Sequence, residues 1–400
     1  VLSSQMIRSH QKPGFITHFT KSIVGVAVIS ALVSGLVLMW LSQAAVVSID
    51  ENADSDGVTH NGGSPTTVFI SGETGYTFYV QQTNTCVYRK TVDGGDTWSE
   101  AVVVDDTNSC QRVAVWYNRW SPGGGSNFIL MALQDSDDIW FRTLNVSTDT
   151  LGALTNATAN SQTGLSFSNG DPPHSITMGS DGDVYIAQAD SSGAFVVKCT
   201  ASCTNSGNWA EAGTTNPLQT SNDFVTLVPL GSTDVMLIRH DISADDNQSK
   251  IFDDGGTDEW SGSWSTFDDN APMNTIMDSA FGAVNDPSTN NIYFVYVADN
   301  QSVGTDDDVR SAIYTGTWAT GSSPSISDVI TNDSKGIIDA SISLNRKDQD
   351  IYAFYGAQTT PGNVATGNVY YKISTNGMNS WGAEQGPINT SATDIHGVRA

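Results

Sequence analysis

Polar residues recur along this chain at the heads of apolar, strand-like runs. Arg112 precedes Val113 to Trp116, His174 precedes Ser175-Ile176-Thr177, and Asp223 precedes Phe224 to Val228. Asp278 heads Ser279 to Val284, and Asp339 stands at the start of the run that ends at Leu344. Either Asp394 or His396 begins one more such run, Asp394-Ile395-His396-Gly397-Val398. If these runs stand side by side around an axis, their first side chains converge on one mouth. Such a set could bind a sugar, a cation or a peptide side chain. Two of the carboxylates at Asp223, Asp278 and Asp339 could also act as the acid and base of a glycoside hydrolase. The plainer alternative is a wet channel whose strands begin with polar residues for that reason alone.

A second set of acidic residues lies in loops: Asp135-Ser136-Asp137-Asp138, Asp245-Asp246 and Asp306-Asp307-Asp308. Oxygen-rich loops can hold Ca²⁺, yet no loop has alternating Asp with a closing Glu, so no EF-hand is implied. The expectation is no obligatory cofactor, with Ca²⁺ as the candidate ion and solvated acidic loops as the simpler account.

These residues need elements to position them, and the elements repeat. Each repeat shows an inner run, a turn, a second apolar run, a polar loop, a third run with a basic residue, and a turn before a Trp. The first passes through Tyr76-Thr77-Phe78-Tyr79-Val80 to Trp98, and the second through Phe128 to Ala132 and Ile139 to Arg142. The third has Val184 to Ala187 and ends at Trp209; the fourth has Val235 to Ile238 and ends at Trp260. The fifth has Ile292 to Tyr296 and ends at Trp318; the sixth has Ile351 to Phe354 and ends at Trp381. A spacing of roughly 50 to 60 residues suits four-stranded propeller blades with long loops. The fold class expected is therefore all-β, a six-bladed β-propeller. Either the fragment at 394–398 closes the ring or a further blade begins there.

The turns carry their own signature. Thr91-Val92-Asp93-Gly94-Gly95-Asp96-Thr97-Trp98 follows the run Cys86-Val87-Tyr88-Arg89-Lys90. Gly tolerates positive φ, and the Asp carboxylate can accept bonds from nearby backbone N–H groups. Ser374-Thr375-Asn376-Gly377-Met378-Asn379-Ser380-Trp381 keeps the Ser, an Asn for the Asp and the Trp, but has Met378 in place of Gly. Weaker echoes run from Lys198 to Trp209, Ile251 to Trp260 and Ile313 to Trp318. The first octet, at Thr91, Asp93, Gly95, Thr97 and Trp98, resembles the Asp-box (BNR repeat) of the sialidase-like β-propeller superfamily. The resemblance covers residues 65 to 400 and implies the propeller fold.

It does not carry the activity. A sialidase-like site implies three Arg that clamp a carboxylate, a Tyr activated by Glu, and an Asp acid/base. The first inner run, Ser64-Pro65-Thr66-Thr67-Val68-Phe69-Ile70, lacks the family's Arg-Ile-Pro element. Glu51 is in a linker and Glu73 in a turn, while Glu100, Glu211, Glu259 and Glu384 adjoin the repeat-ending Trp residues on outer strands. Arg112, Arg119, Arg239 and Arg310 align to no triad. The reading is a non-catalytic propeller that binds glycans or surface proteins. An exo-acting glycoside hydrolase and a structural surface protein are the alternatives.

Composition agrees with an exported, strand-rich chain. Of 400 residues 37 are Gly, and the formal charge is −26. That field repels nucleic acid and anionic lipid headgroups, so no nucleic-acid partner is expected. Cys86, Cys110, Cys199 and Cys203 form an even set. Disulfides Cys86–Cys110 and Cys199–Cys203 are expected; a Cys₄ zinc site lacks its paired knuckles. Sequons stand at Asn145, Asn156, Asn247, Asn300, Asn332 and Asn389.

The N-terminal region reads as a membrane element. Residues 1–21 form a basic leader with Arg8, Lys12 and Lys21, and Met6 is a candidate start. Segment 22–48 is uncharged and contains the apolar run Ile23 to Leu41. At 1.5 Å per residue, about 20 residues cross a bilayer core of about 30 Å. A signal anchor with the propeller outside is expected, or a secreted protein if Ser42-Gln43-Ala44 is cleaved. Residues 49–65 read as a polar linker and residues 66–400 as the propeller.

Overall fold

The computed structural model describes residues 49–50, 52–53, 64–160, 174–189, 194–218, 224–241, 244–269, 281–298, 308–318, 326–330, 337–358 and 367–388. The leader 1–21 and segment 22–48 lie outside them, as do Asp223, Asp278, Asp394 and His396. Among the described residues no helix is long and apolar enough to cross a membrane.

The described chain forms six antiparallel sheets in succession, each a blade of a propeller. Blade one has β1 (Thr67–Phe69), β2 (Gly75–Gln81), β3 (Thr85–Thr91) and β4 (Val102–Asp105). Blade two has β5 (Arg112–Tyr117), β6 (Phe128–Gln134) and β7 (Ile139–Asn145), with β8 (Thr150–Leu151) and β9 (Thr155–Asn156) both paired to β7. Blade three has β10 (Ser175–Met178), β11 (Val184–Ala189), β12 (Ala194–Cys199) and β13 (Trp209–Glu211). Blade four has β14 (Phe224–Pro229), β15 (Val235–Asp241), β16 (Asp246–Asp253), β17 (Glu259–Trp260) and β18 (Ser265–Asp268). Blade five has β19 (Phe281–Asp286), β20 (Asn291–Ala298), β21 (Asp308–Tyr314) and β22 (Ile326–Ile330). Blade six has β23 (Ile337–Asn345), β24 (Asp350–Gln358) and β25 (Gly367–Ser374).

Strands such as β5, β6 and β20 are apolar with little alternation because both of their faces are covered, whereas β23 of blade six alternates. β5 is buried along its whole length, as is β6 after Phe128. A sheet with one wet face would alternate; a blade between two blades does not. The apolar clusters accordingly run between blades. One joins blades one and two, another two and three, another three and four, and the largest joins blades four, five and six. Among the described residues none of the four joins blade six to blade one.

The repeat-ending Trp residues stitch blades together. Trp381 Nε1 donates to Ser311 Oγ of blade five at 3.3 Å, and Trp318 Nε1 to Ser249 Oγ of blade four at 2.8 Å. Trp260 Nε1 donates to the Ala212 carbonyl at 2.8 Å, at the outer edge of blade three. The expected disulfides form, Cys86–Cys110 with Cα atoms 5.5 Å apart and Cys199–Cys203 with 5.7 Å.

The octet turns are built as their residue types predict. The Asp93 carboxylate accepts from Thr97 N at 2.9 Å and Thr97 Oγ1 at 2.6 Å, and Thr91 Oγ1 accepts from Gly95 N at 2.9 Å. These bonds, that from the Thr97 hydroxyl foremost, hold the Asp93 carboxyl down at about 2. At Ser374 the same bonds recur: Asn376 Oδ1 accepts from Ser380 N at 3.1 Å, and Ser374 Oγ from Met378 N at 2.9 Å. Met378 takes a φ of +66°, the position that asks for Gly, and its side chain is buried in the largest cluster. That burial offsets the backbone strain. Blade four repeats the arrangement at Asp253, which accepts from Thr257 N and Oγ1, both at 3.0 Å.

A second recurring device spans blade seams. Tyr76 and Lys90 are cross-strand neighbours in blade one, and both reach Asp149 of blade two, at 2.6 and 2.7 Å. Tyr185 and Lys198 are the matching neighbours in blade three, and both reach Asp254 of blade four. In blade five Tyr296 faces Arg310, and both reach back to Asp268 of blade four. Burial works against ionisation of Asp254, but the Lys198 ammonium and Tyr185 hydroxyl more than offset it and hold its carboxyl below the usual range.

The two lysine clamps differ in exposure: the Asp254 side chain is 4% exposed and the Asp149 side chain 45%. Asp254→Ala leaves a buried ammonium and hydroxyl short of a partner, so a loss of about 3 kcal/mol in urea unfolding is expected. Asp149→Ala should cost about 1 kcal/mol or less. Equal losses would show that seam burial does not set the strength of these clamps.

Candidate functional site

The predicted mouth residues divide into two groups. Arg112, His174 and Asp339 are described, and all are buried, at 1%, 0% and 2% exposure. Asp223, Asp278 and His396 lie outside the described residues. Arg112 opens β5 opposite Gln134, and His174 stands just before β10 with Nε2 2.8 Å from the Ala132 carbonyl. Asp339 lies within β23 and accepts from Ala340 N at 2.8 Å. The structure brings Arg112 and His174 close enough for the guanidinium charge to act on the imidazole. Asp339 is in a different blade.

Of the predicted acidic-loop residues, Asp306 and Asp307 lie outside the described residues. Asp135 Oδ1 accepts from Asp137 N and Asp138 N, and Oδ2 from Trp140 Nε1 at 2.7 Å, so the carboxylate is spent as a loop cap. Asp308 stands 3.8 Å from Arg310. Among the described residues one group has metal-ligand spacing, Asp181, Asp183 and Asp254. Lys198 Nζ already sits between two of them, 2.9 Å from Asp183 and in contact with Asp254. This cluster is the polar part of the blade three–four clamp.

The concave site lies at the other end of the inner strands. A cavity of about 740 Å³ is bounded by residues of blades one, two, five and six. Trp120, Asn285 and Arg346 border it where β5, β19 and β23 end. After β5 the chain turns through 118–120, and Trp116 and Trp120 meet edge to face at 5.4 Å. Ser121 Oγ accepts from Trp116 Nε1 at 2.9 Å and donates to the Met178 carbonyl of blade three, which anchors the turn. Gly124 is obligatory here: a Cβ would lie 1.9 Å from the Asn118 carbonyl oxygen. Across the axis, Asn285 Nδ2 donates to the Trp120 carbonyl at 2.9 Å. Arg346 reaches the same carbonyl at 3.3 Å and Asn285 Oδ1 at 3.3 Å. Its turn is closed by Gln349 N donating to the Asn345 carbonyl at 2.7 Å.

The walls are aromatic and hydroxylic. Trp116, Tyr117, Trp120, Phe281 and Phe354 supply rings, Ser341, Ser343 and Asn345 supply polar groups, and Arg119, Arg346 and Lys347 supply charge. Among the described residues no lining residue is Asp or Glu. From Phe354 the aromatic surface continues along blade six to Tyr371 at 5.6 Å and Tyr352 at 6.1 Å, all three half-buried. Such walls can stack against a sugar ring and hydrogen-bond its hydroxyls. Among the described residues they hold no pair of carboxylates of the kind glycoside hydrolysis uses. Reading only the heads of the inner strands missed this site, because Trp120, Asn285 and Arg346 stand where β5, β19 and β23 end. The run Trp116-Tyr117-Asn118-Arg119-Trp120 was the available signal.

No protein-family model matches the chain, and no curated protein matches it in sequence. Among solved structures the chain is similar to a triple Arg-to-Ala mutant of AofleA from Arthrobotrys oligospora. That match has a TM-score of 0.50 and 8% identity, covering 88% of this chain and 94% of that one. It is also similar to a PL25 polysaccharide lyase, an ulvan lyase bound to a GlcA–Rha3S repeat. There the TM-score is 0.50 with 10% identity, covering 84% and 86%. The GH93 α-L-arabinofuranosidase of Fusarium graminearum, in complex with arabinobiose, aligns with a TM-score of 0.49 and 12% identity over 83% and 97%. At such identities the likeness is one of fold.

His174 supplies a test of the buried polar end. Burial pulls its pKa down to about 4, the Ala132 carbonyl opposes this, and the Arg112 charge adds to it. The unfolded chain takes up the proton near pH 6.5 and the folded one only near 4, so stability falls as pH drops through that window. The loss should be roughly 3 kcal/mol. The urea midpoint of His174→Gln should fall less steeply than that of the parent over the same range. Parallel slopes would place the pH dependence elsewhere.

Proposed function

We propose that this chain is a sialidase-like Asp-box propeller that binds glycans outside the cytoplasm and does not cleave them. The observation that carries the reading is the cavity of about 740 Å³, lined among the described residues by aromatic rings, Ser and Asn side chains and three cations. A pyranose offers an apolar face for stacking and hydroxyls for the polar groups. A hydrolase would need an acid and a base within reach of the same bond. The hydrogen-bonded turns at Asp93, Asp253 and Asn376 support the Asp-box resemblance. The two disulfides support export, since such bonds persist in oxidising compartments. Placement at the cell surface, through an N-terminal signal anchor, belongs to the same reading, as does secretion if that segment is cleaved. Solved propellers of similar fold include one whose complex holds a polysaccharide repeat, which is compatible with a glycan ligand here.

The full chain should be retained on a subset of a glycan array, with the retained glycans unchanged in mass. Trp120→Ala should weaken retention by about tenfold, the scale of losing one anchoring aromatic. Loss of retention in chelator would bring Ca²⁺ into the site. Trimmed glycans would replace this reading with a hydrolase, and a blank array would favour a protein partner or a structural role.

A further inference from the structure

We propose that the cavity receives an oligosaccharide bearing an anionic substituent, a carboxylate or a sulfate ester, at a subsite formed by Arg346, Arg119 and Lys347. This rests on the glycan-binding reading and narrows its ligand class.

Acidic residues outnumber basic ones 43 to 17. Arg89, Lys90, Lys198, Arg239 and Arg310 each sit within 4.0 Å of a carboxylate. Among the described residues the three cations of the cavity do not, and neither do Arg142, Lys250 and Lys372, but only the cavity gathers three such cations at one site. Arg119 donates to Asn127 Oδ1 at 2.6 Å, and the Lys347 side chain is exposed. Arg346 contacts only carbonyl and amide oxygens: the carbonyls of Arg119, Trp120 and Asn285 at 3.5, 3.3 and 3.4 Å, and Asn285 Oδ1 at 3.3 Å. All four are long against the usual ~2.9 Å for N–H···O. The acid whose charge reaches it, Asp286, accepts hydrogen bonds from Ser288 and Thr289 at 2.7 to 2.9 Å.

Arg346 is therefore a guanidinium taken partly out of water with no described carboxylate within 4.0 Å. Burial lowers its pKa to about 10, and the Asp286 charge only partly opposes this. Such a group is costly to hold and gains most from an incoming anion, which it can meet through two parallel N–H bonds. A neutral sugar would gain little from three cations. A dense polyanion is disfavoured for a different reason: a net charge of −26 repels it at long range. Screening over about 8 Å at physiological salt leaves a single anionic group on a sugar free to feel the local cations. The aromatic surface from Trp120 and Phe354 towards Tyr371 then takes the neighbouring residues of the oligosaccharide.

The test is calorimetric titration of the full chain with three tetrasaccharides of one sugar: neutral galactose, galacturonate and sulfated galactose. At least one anionic probe should bind about tenfold or more tighter than the neutral one, since a charge-assisted bidentate pair supplies that difference. Galacturonate alone would identify a carboxylate, and sulfated galactose alone a sulfate ester. Arg346→Gln should abolish the preference, and Arg346→Lys should restore part of it. If Arg346→Gln unfolds, the double variant Arg119→Gln with Lys347→Gln carries the test, because both side chains are exposed. Equal affinity for all three probes, unchanged in these variants, would overturn the anionic subsite and leave glycan binding standing. Binding of none of the three while neutral glycans bind on the array would do the same. A blank array would remove both readings.

Discussion

Every blade of this molecule depends on its neighbours to cover the faces of its strands. The second strands, such as β6 and β20, are apolar along nearly their full length and buried along nearly all of it. A sheet like that cannot stand in water alone, so the stable unit is the stack. This one constraint explains why the apolar clusters lie between blades, and why no cluster belongs to a single sheet. It also explains the polar seams. Where two blades meet at their outer parts, the packing is finished by a Trp indole or by a Tyr and a cation sharing one carboxylate.

The acidity of the chain looks different once the seams are visible. Much of the Asp is local carpentry. Asp93 and Asp253 tie their own turns, Asp135 caps its own loop, and Asp149, Asp254 and Asp268 lock one blade to the next. Asp serves here better than Glu because its short side chain can reach backbone N–H groups two to four residues on. The surplus charge still surrounds the molecule. Against that surround, a cavity whose described lining holds three cations and no acid is a local inversion of sign.

The position of that inversion follows from the stack. Blades one and two share a core, as do each following pair, but no described cluster joins blade six to blade one. The cavity borders both of these blades. Blade six packs Ile351, Ala353 and Tyr355 against blade five, which leaves Tyr352 and Phe354 on the opposite face, half-buried and beside the cavity. The rings that could stack a sugar are those that the stack itself did not cover.

What the sequence determined by itself is whatever depends on neighbours along the chain. The six repeats, the strand order within each, the octet turns at Thr91 and Ser374 and the two cystine pairs were all legible, because turn chemistry and apolar runs are local. Even the substitution of Met378 for Gly was legible as a departure, though only its burial shows why the turn survives it. The site was not legible in the same way. The heads of the inner strands read as a polar mouth, but Arg112, His174 and Asp339 are buried in the fold. Trp120, Asn285 and Arg346 stand more than 200 residues apart from first to last, in blades two, five and six, and meet only across the axis. Nothing in a repeat specifies which side chains will face one another across a ring. That is decided by closure of the stack, which sets strand ends from different blades side by side.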